Sequence, residues 1–332
     1  MNVAQGKYAV IREMLKASKV AGGFDVPRAD AFLRQVPITD RILFAGEGSS
    51  RIFPGKHAIL RALRLGLSQR FHTSTCYEAA ELDLKGWTVF GASNSGRTKE
   101  LIFLFEKLKT EGIPTVGITA AENTPLEKVA DRTFILSCGS EKAVSASKVV
   151  IEQALFLDQV VHRIAGRTIA PHLPQLGRDA ERVLSADIAP EIVEAGAKAK
   201  RIFIAGRNDG AAEELTIKAV EMTRKLSVFL EGTMALHGVE EVMEKEDLLL
   251  VLDPFEREEE RFDRLLRRNL GVEIVAISDR KTLFPTVSIP HSEFFGSYLQ
   301  LMAAWNFLVH IGLALENDLD KPARARKIGN EA

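Results

Sequence analysis

The sequence predicts an α/β protein of two tandem halves, each a flavodoxin-like parallel sheet sandwiched by helices. Three observations carry this. Short apolar runs of strand length alternate along the chain with amphipathic, helix-like stretches, as β-α-β units require. The runs also recur at a nearly constant spacing. RILFAG at 41–46 faces RIFIAG at 201–206, and WTVFGAS from Trp87 faces DLLLVLD from Asp247, both 160 residues apart; EGIPTVGITA from Glu111 faces LGVEIVAISD from Leu270, 159 apart. Three matches in register read as a duplicated unit. Finally, 332 residues with 46% apolar content suffice for two buried cores.

Residues 1–39 begin MNVAQGKYAVIREMLK, which mixes charged with apolar residues; they read as a helical leader without a secretory signal. The first half is expected at 40–165. It opens with a strand at Ile42–Ala45, a GEGSS loop and a helix beginning near Arg51. A strand at Thr88–Phe90 follows, then the loop Gly91–Gly96 and a helix from Arg97 or Thr98 to Thr110, with Gly112 placed to stop it. Residues 166–194 read as a linker, because GRTIAPHLPQLGRD holds two prolines and two glycines. The second half, 195–330, repeats the pattern. Within it Phe294–Leu315 lacks any Asp, Glu, Lys or Arg over a length that could cross a bilayer, for which about 20 apolar residues suffice. Gln300, Asn306 and His310 interrupt it and no second such segment exists, so a helix buried between domains or subunits is expected.

Charge narrows the function classes. With 44 basic and 45 acidic residues spread along the chain, there is no electrostatic footprint for nucleic acid or an anionic membrane. Cys76 and Cys138 lie far apart, outside any C-x-x-C pair, which fits reduced thiols in a cytoplasmic protein. The seven histidines show no H-x-H or H-E-x-x-H spacing, so no metal site is expected.

The chemistry is concentrated in the loops that follow the strands. In an open parallel sheet, ligands bind beyond the carboxyl ends of strands, where helix N-termini present unpaired N–H groups and a positive dipole end. Gly48, Ser49 and Ser50 after the first strand, and Ser93, Asn94, Ser95 and Thr98 after the second, add short donors that leave the backbone accessible. Both loops are expected to converge on one phosphate. A dinucleotide fingerprint would need glycine where Arg51 stands, and no G-K-[ST] completes a P-loop. Opposite Ser93–Gly96 the second half carries Asp253–Glu256, whose two carboxylates would repel phosphate, so phosphate binding is assigned to the first half alone.

The S-x-S-G-x-T pattern at Ser93, Ser95, Gly96 and Thr98, with the Gly48–Ser50 loop before it, resembles the sugar isomerase (SIS) family. The likeness extends over residues 40–330 to its members with two SIS domains, such as the isomerase part of glucosamine-6-phosphate synthase. In that group a lysine and a glutamate three residues apart are matched by Lys218 and Glu221. A histidine of an H-G-P segment is matched by His237, a C-terminal lysine by Lys327, and an E-x-x-V-A-S-T-K stretch by Glu141, Val144, Ser147 and Lys148. Departures are Leu236 and Val239 around that histidine, Arg97 in the phosphate loop, and Ala146 where the stretch has its serine.

The resemblance implies an aldose–ketose proton transfer between C1 and C2, with Glu221 as the shuttling base, His237 opening the sugar ring, and Lys218 and Lys327 polarising the carbonyl. It also implies a homodimer in which His237 serves the neighbouring subunit's site, a small sugar phosphate as ligand, and neither metal nor redox cofactor. Glucosamine 6-phosphate going to fructose 6-phosphate and ammonia is the expected reaction. A plain ketose–aldose isomerase, a fructosamine-6-phosphate deglycase and a non-catalytic phosphosugar-binding regulator are the alternatives.

Overall fold

The computed structural model describes residues 6–324. They divide into two compact units, one of residues 19–174 and one combining 6–18 with 175–323. Two helices lead the chain, α1 (Ala9–Gly22) and α2 (Val26–Leu33). Asp25 caps α2 by accepting the Arg28 N–H, and the Asp320 carboxylate accepts the N–H groups of Ala9 and Val10 at the start of α1.

The first unit continues as β1 (Arg41–Gly46), α3 (Ile52–Arg64), β2 (Arg70–Ser74), α4 (Cys76–Ala80), β3 (Thr88–Ala92), α5 (Lys99–Thr110), β4 (Thr115–Thr119), α6 (Pro125–Val129), β5 (Arg132–Ile135) and α7 (Lys148–Ile164). The second unit runs α8 (Leu173–Ser185), α9 (Pro190–Lys198), β6 (Arg201–Gly206), α10 (Ala211–Thr223), β7 (Leu226–Glu231), β8 (Leu248–Leu252), α11 (Glu259–Phe262), β9 (Glu273–Ser278), β10 (Thr286–Ser288) and α12 (Gly296–Ala314). The segment expected as a linker therefore holds α8 and most of the approach to β6. Its prolines lie ahead of or within the first turns of helices, where a missing N–H costs nothing.

Both sheets are five-stranded and parallel, ordered β2-β1-β3-β4-β5 and β7-β6-β8-β9-β10, which is one topology used twice. The spacing read from sequence is thus a repeat of fold: β1 and β6 start 160 residues apart, as do β3 and β8. Alternate side chains of β1 serve opposite faces. Leu43 and Ala45 join a core with Leu101 and Phe105 of α5, whereas Phe44 faces Gly55 of α3. On the Phe44 side, Phe90 approaches Phe156 of α7, which stacks on Phe134 at 4.3 Å between centroids.

The apolar segment near the carboxyl end is α12. It packs inside the second unit on α9, α10 and β9, and Asn306 donates to the Val183 and Ala186 carbonyls. Of its polar interruptions, Asn306 thus serves helix packing within one unit. Among the described residues, no helix is long and apolar enough to cross a membrane. Burial pushes the thiols of Cys76 and Cys138 well above their ordinary range, which keeps both protonated.

Candidate functional site

In the first sheet the order reverses between β1 and β3, the place where open α/β sheets hold ligands. Gly46 pairs with Ala92, so the loops after both strands leave the sheet side by side. α3 then packs on one face and α5 on the other.

The loop after β3 is built by its own polar atoms. Ser93 is buried; its N–H donates to Ile118 at 2.9 Å, and its Oγ lies 2.8 Å from Thr98 Oγ1 and accepts the Gly96 N–H at 3.1 Å. Ser95 Oγ accepts the Arg97 N–H. Gly96 has φ +65°, and a Cβ there would meet the Thr124 side chain at 2.6 Å, so only glycine fits. Thr98 heads α5 without capping it through its side chain. Asn94 accepts the Ala120 N–H on its backbone carbonyl, while its buried Oδ1 finds no partner among the described residues. Gly48–Ser50 form one 3₁₀ turn, which α7 buttresses through Gln153 Nε2 at 3.5 Å from Ser50 Oγ. Donors are concentrated in these two loops, and Ser93–Thr98 contains no carboxylate, an environment suited to an anion.

Residues matched to the V-A-S-T-K stretch, together with Glu152, hold a loop in shape. Glu152 of α7 accepts from the N–H and hydroxyl of Ser137 and from the Cys138 N–H. Lys148 donates to the carbonyls of Cys138, Gly139 and Ser140. Glu141 accepts both the N–H and the hydroxyl of Ser147, at 2.9 and 2.8 Å. Val144 lies half-buried between them.

In the second unit, α10 carries Lys218 and Glu221. Lys218 is fully buried, with Nζ 3.2 Å from Glu221 Oε2 and 3.2 Å from Glu214 Oε1. Burial alone would lower its pKa, but attraction to Glu221 and Glu214 outweighs this and holds the ammonium above the ordinary lysine value. Glu214 is equally buried and was not singled out from sequence. Its position four residues before Lys218, on the same helical face, was the available signal. Glu221 remains partly exposed, so the triad presents one accessible carboxylate.

His237 is exposed in the turn that follows β7; its Nε2 lies 3.3 Å from Thr233 Oγ1, and it makes no hydrogen bond to the α10 triad. Lys327 lies outside the described residues.

The matching end of the second sheet is furnished differently. After β8, Asp253 adopts φ 44°, and its carboxylate takes Arg207 Nη1 at 2.7 Å; that guanidinium lies over the Phe255 ring. The start of α10 is served by Asp209, which accepts the Ala211 N–H and the Ser297 hydroxyl.

Comparison with known proteins agrees with this fold. The profile of the SIS domain family matches residues 73–163. No curated protein matches the chain in sequence. Among solved structures, the C-terminal domain of glucosamine-fructose-6-phosphate aminotransferase from Francisella tularensis superposes with a TM-score of 0.78 at 16% identity, covering 95% of this chain and 98% of that one. Glucosamine-6-phosphate deaminase from Thermotoga maritima gives 0.77 at 19% identity, covering 96% and 98%. Tagatose-6-phosphate ketose/aldose isomerase from Escherichia coli gives 0.76 at 19%, covering 95% and 96%. Residues 73–163 thus match the SIS domain profile, and the chain as a whole, two parallel five-stranded sheets flanked by helices, shares the fold of these solved structures.

Proposed function

We propose that this chain is a sugar-phosphate isomerase or deaminase acting on an amino-hexose 6-phosphate, converting glucosamine 6-phosphate to fructose 6-phosphate and ammonia. The observation that carries it is the Glu214–Lys218–Glu221 triad on α10, a buried ammonium between two carboxylates of which only Glu221 reaches solvent. A lysine so held is a fixed positive charge. It steadies Glu221 as the group that takes a proton from one sugar carbon and returns it to the next. The loop of Ser93, Asn94, Ser95 and Thr98 with that of Gly48, Ser49 and Ser50 holds the phosphate by N–H and O–H donation. His237, exposed in its turn, opens the ring in the site of the second copy of a homodimer. Lys327, outside the described residues, is assigned to the same chemistry as a further catalytic lysine.

Incubation of the purified protein with glucosamine 6-phosphate and other hexose phosphates, following ammonia and fructose 6-phosphate by coupled assay, tests this. Equal release of both products is expected. Turnover of a neutral hexose phosphate without ammonia would restrict the activity to isomerisation, and binding without turnover of any sugar phosphate would overturn it.

A further inference from the structure

The second sheet reverses its order between β6 and β8 as the first does between β1 and β3, and the residues beyond its strands line a cavity of about 560 Å³. Doubly wound sheets hold ligands at this point, and the volume suits a small molecule. Neighbouring strands furnish it together: Arg207 follows β6, Asp253–Phe255 follow β8, and Arg280 follows β9.

Two guanidiniums are fixed here by the fold itself. Arg207 Nη1 donates to the Asp253 carbonyl at 2.8 Å and pairs with the carboxylate of the same residue at 2.7 Å. From the β9 side of that turn, Arg280 Nη2 donates to the Pro254 carbonyl at 2.6 Å and pairs with the buried Glu259. Both arginines keep 31% of the side chain exposed and Asp253 keeps 30%, so groups of both signs stay within reach of a ligand. Asp253 holds a left-handed φ of 44°, a conformation uncommon outside glycine that concentrates at ligand sites.

The balance of charge identifies the ligand. Arg207, Arg257 and Arg280 are matched by Asp253, Glu256 and Glu259. A phosphate dianion would be repelled by Asp253 and Glu256, and a simple cation by the arginines. A molecule carrying both charges satisfies both sets. A planar carboxylate fits the guanidinium fork, and an ammonium donates to carboxylates. Phe255, 41% exposed with Arg207 over its ring, adds apolar surface beside them. We propose that this cavity binds a free α-amino acid, with its carboxylate held by Arg207 and Arg280, its ammonium by Asp253 and Glu256, and its side chain against Phe255.

The test screens the full chain by thermal melting against the standard α-amino acids at millimolar concentration. Any that raises the melting temperature is titrated by calorimetry beside its N-acetyl and amide derivatives, each of which lacks one of the two charges. At least one amino acid should bind once per chain, with an affinity that saturating inorganic phosphate leaves unchanged. Each derivative should bind about 10-fold or more weakly, as should the amino acid itself to Asp253→Asn and to Arg207→Ala. Both exchanges touch partly exposed groups, so the variants should melt near wild type; should either unfold, the derivatives decide on wild type alone. The proposal is overturned if no amino acid binds, if a derivative binds as well as its parent, or if both folded variants keep wild-type affinity. Competition by inorganic phosphate also overturns it, since that would place the amino acid in the loops of the first half.

Discussion

At the carboxyl end of β3 the chain turns through Ser93–Thr98 into α5, with hydroxyls, an orphaned Asn94 oxygen and a helix start uncapped by its own Thr98. At the corresponding end of β8 it turns through Asp253, whose carboxylate is bound to Arg207, while Asp209 occupies the start of α10. Strand order and spacing are the same in both; the turns differ. A helix N-terminus at the end of a parallel sheet attracts negative charge wherever it occurs. One half meets it with a hydroxyl-rich turn and with Glu100 in the first turn of α5, the other with Asp253 and Asp209. Duplicating a sheet therefore duplicates a potential site, while the side chains at the strand ends differ between the copies. The second copy carries its Glu214–Lys218–Glu221 ion cluster on α10, with Lys218 and Glu214 buried and Glu221 partly exposed.

Glu221→Gln breaks the division of labour most sharply. It should lower kcat about 1,000-fold, within the range for loss of a general base, while binding of inorganic phosphate stays at the wild-type level. Steady-state kinetics beside calorimetry reads both, and unchanged turnover would remove Glu221 from its role. Ser95→Asp gives the first of these turns a carboxylate like that of the second. Like charge at about 4 Å in a partly screened site costs a few kcal/mol, so phosphate affinity should fall about 100-fold or more, with melting temperature nearly unchanged.

The reverse change should do far less. Asp253→Asn keeps a residue tolerant of positive φ and removes only a partly exposed ion pair, which alters stability by under about 1 kcal/mol. Phosphate stoichiometry should stay unchanged, because Asp209 still serves α10; an additional phosphate bound per chain would show that Asp253 alone keeps phosphate from the end of the second sheet.

The smallest effect separates the two units by pH. In the first, burial holds the His162 imidazole below its ordinary value of 6.5, only partly offset by Asp158. The unfolded chain then binds the proton more readily, so this group's contribution is complete above pH 6.5 and is lost as pH falls below it. His162→Gln should flatten the melting temperature in that window. In the second unit the raised pKa of Lys218 gives the opposite sign: its contribution is present below its ordinary value of 10.5 and is lost as pH rises through the folded value above it.

The strands legible in sequence were the buried inner ones. β3, β4 and β8 are buried at every position and β1, β6 and β9 nearly so, which writes them as continuous apolar runs. β2, β5, β7 and β10 stand at sheet edges with mixed burial, so RFHTS or TVS carries no such signature. The same contrast holds at the site. Gly96, the hydroxyls around it and the lysine–glutamate spacing are local patterns, visible because a turn or a helix face needs only neighbours in sequence.

By itself, then, the sequence determined the duplicated α/β plan, the position of the hydroxyl-rich loops and the asymmetry between Ser93–Gly96 and Asp253–Glu256. Only the tertiary structure decided that Glu214 lies buried against Lys218, that Glu141, Lys148 and Glu152 brace a loop, and that Ser145 is buried without a partner. Those outcomes depend on which surfaces lose their water when distant segments pack, and burial of a polar atom is a property of the packed chain rather than of the residue that bears it.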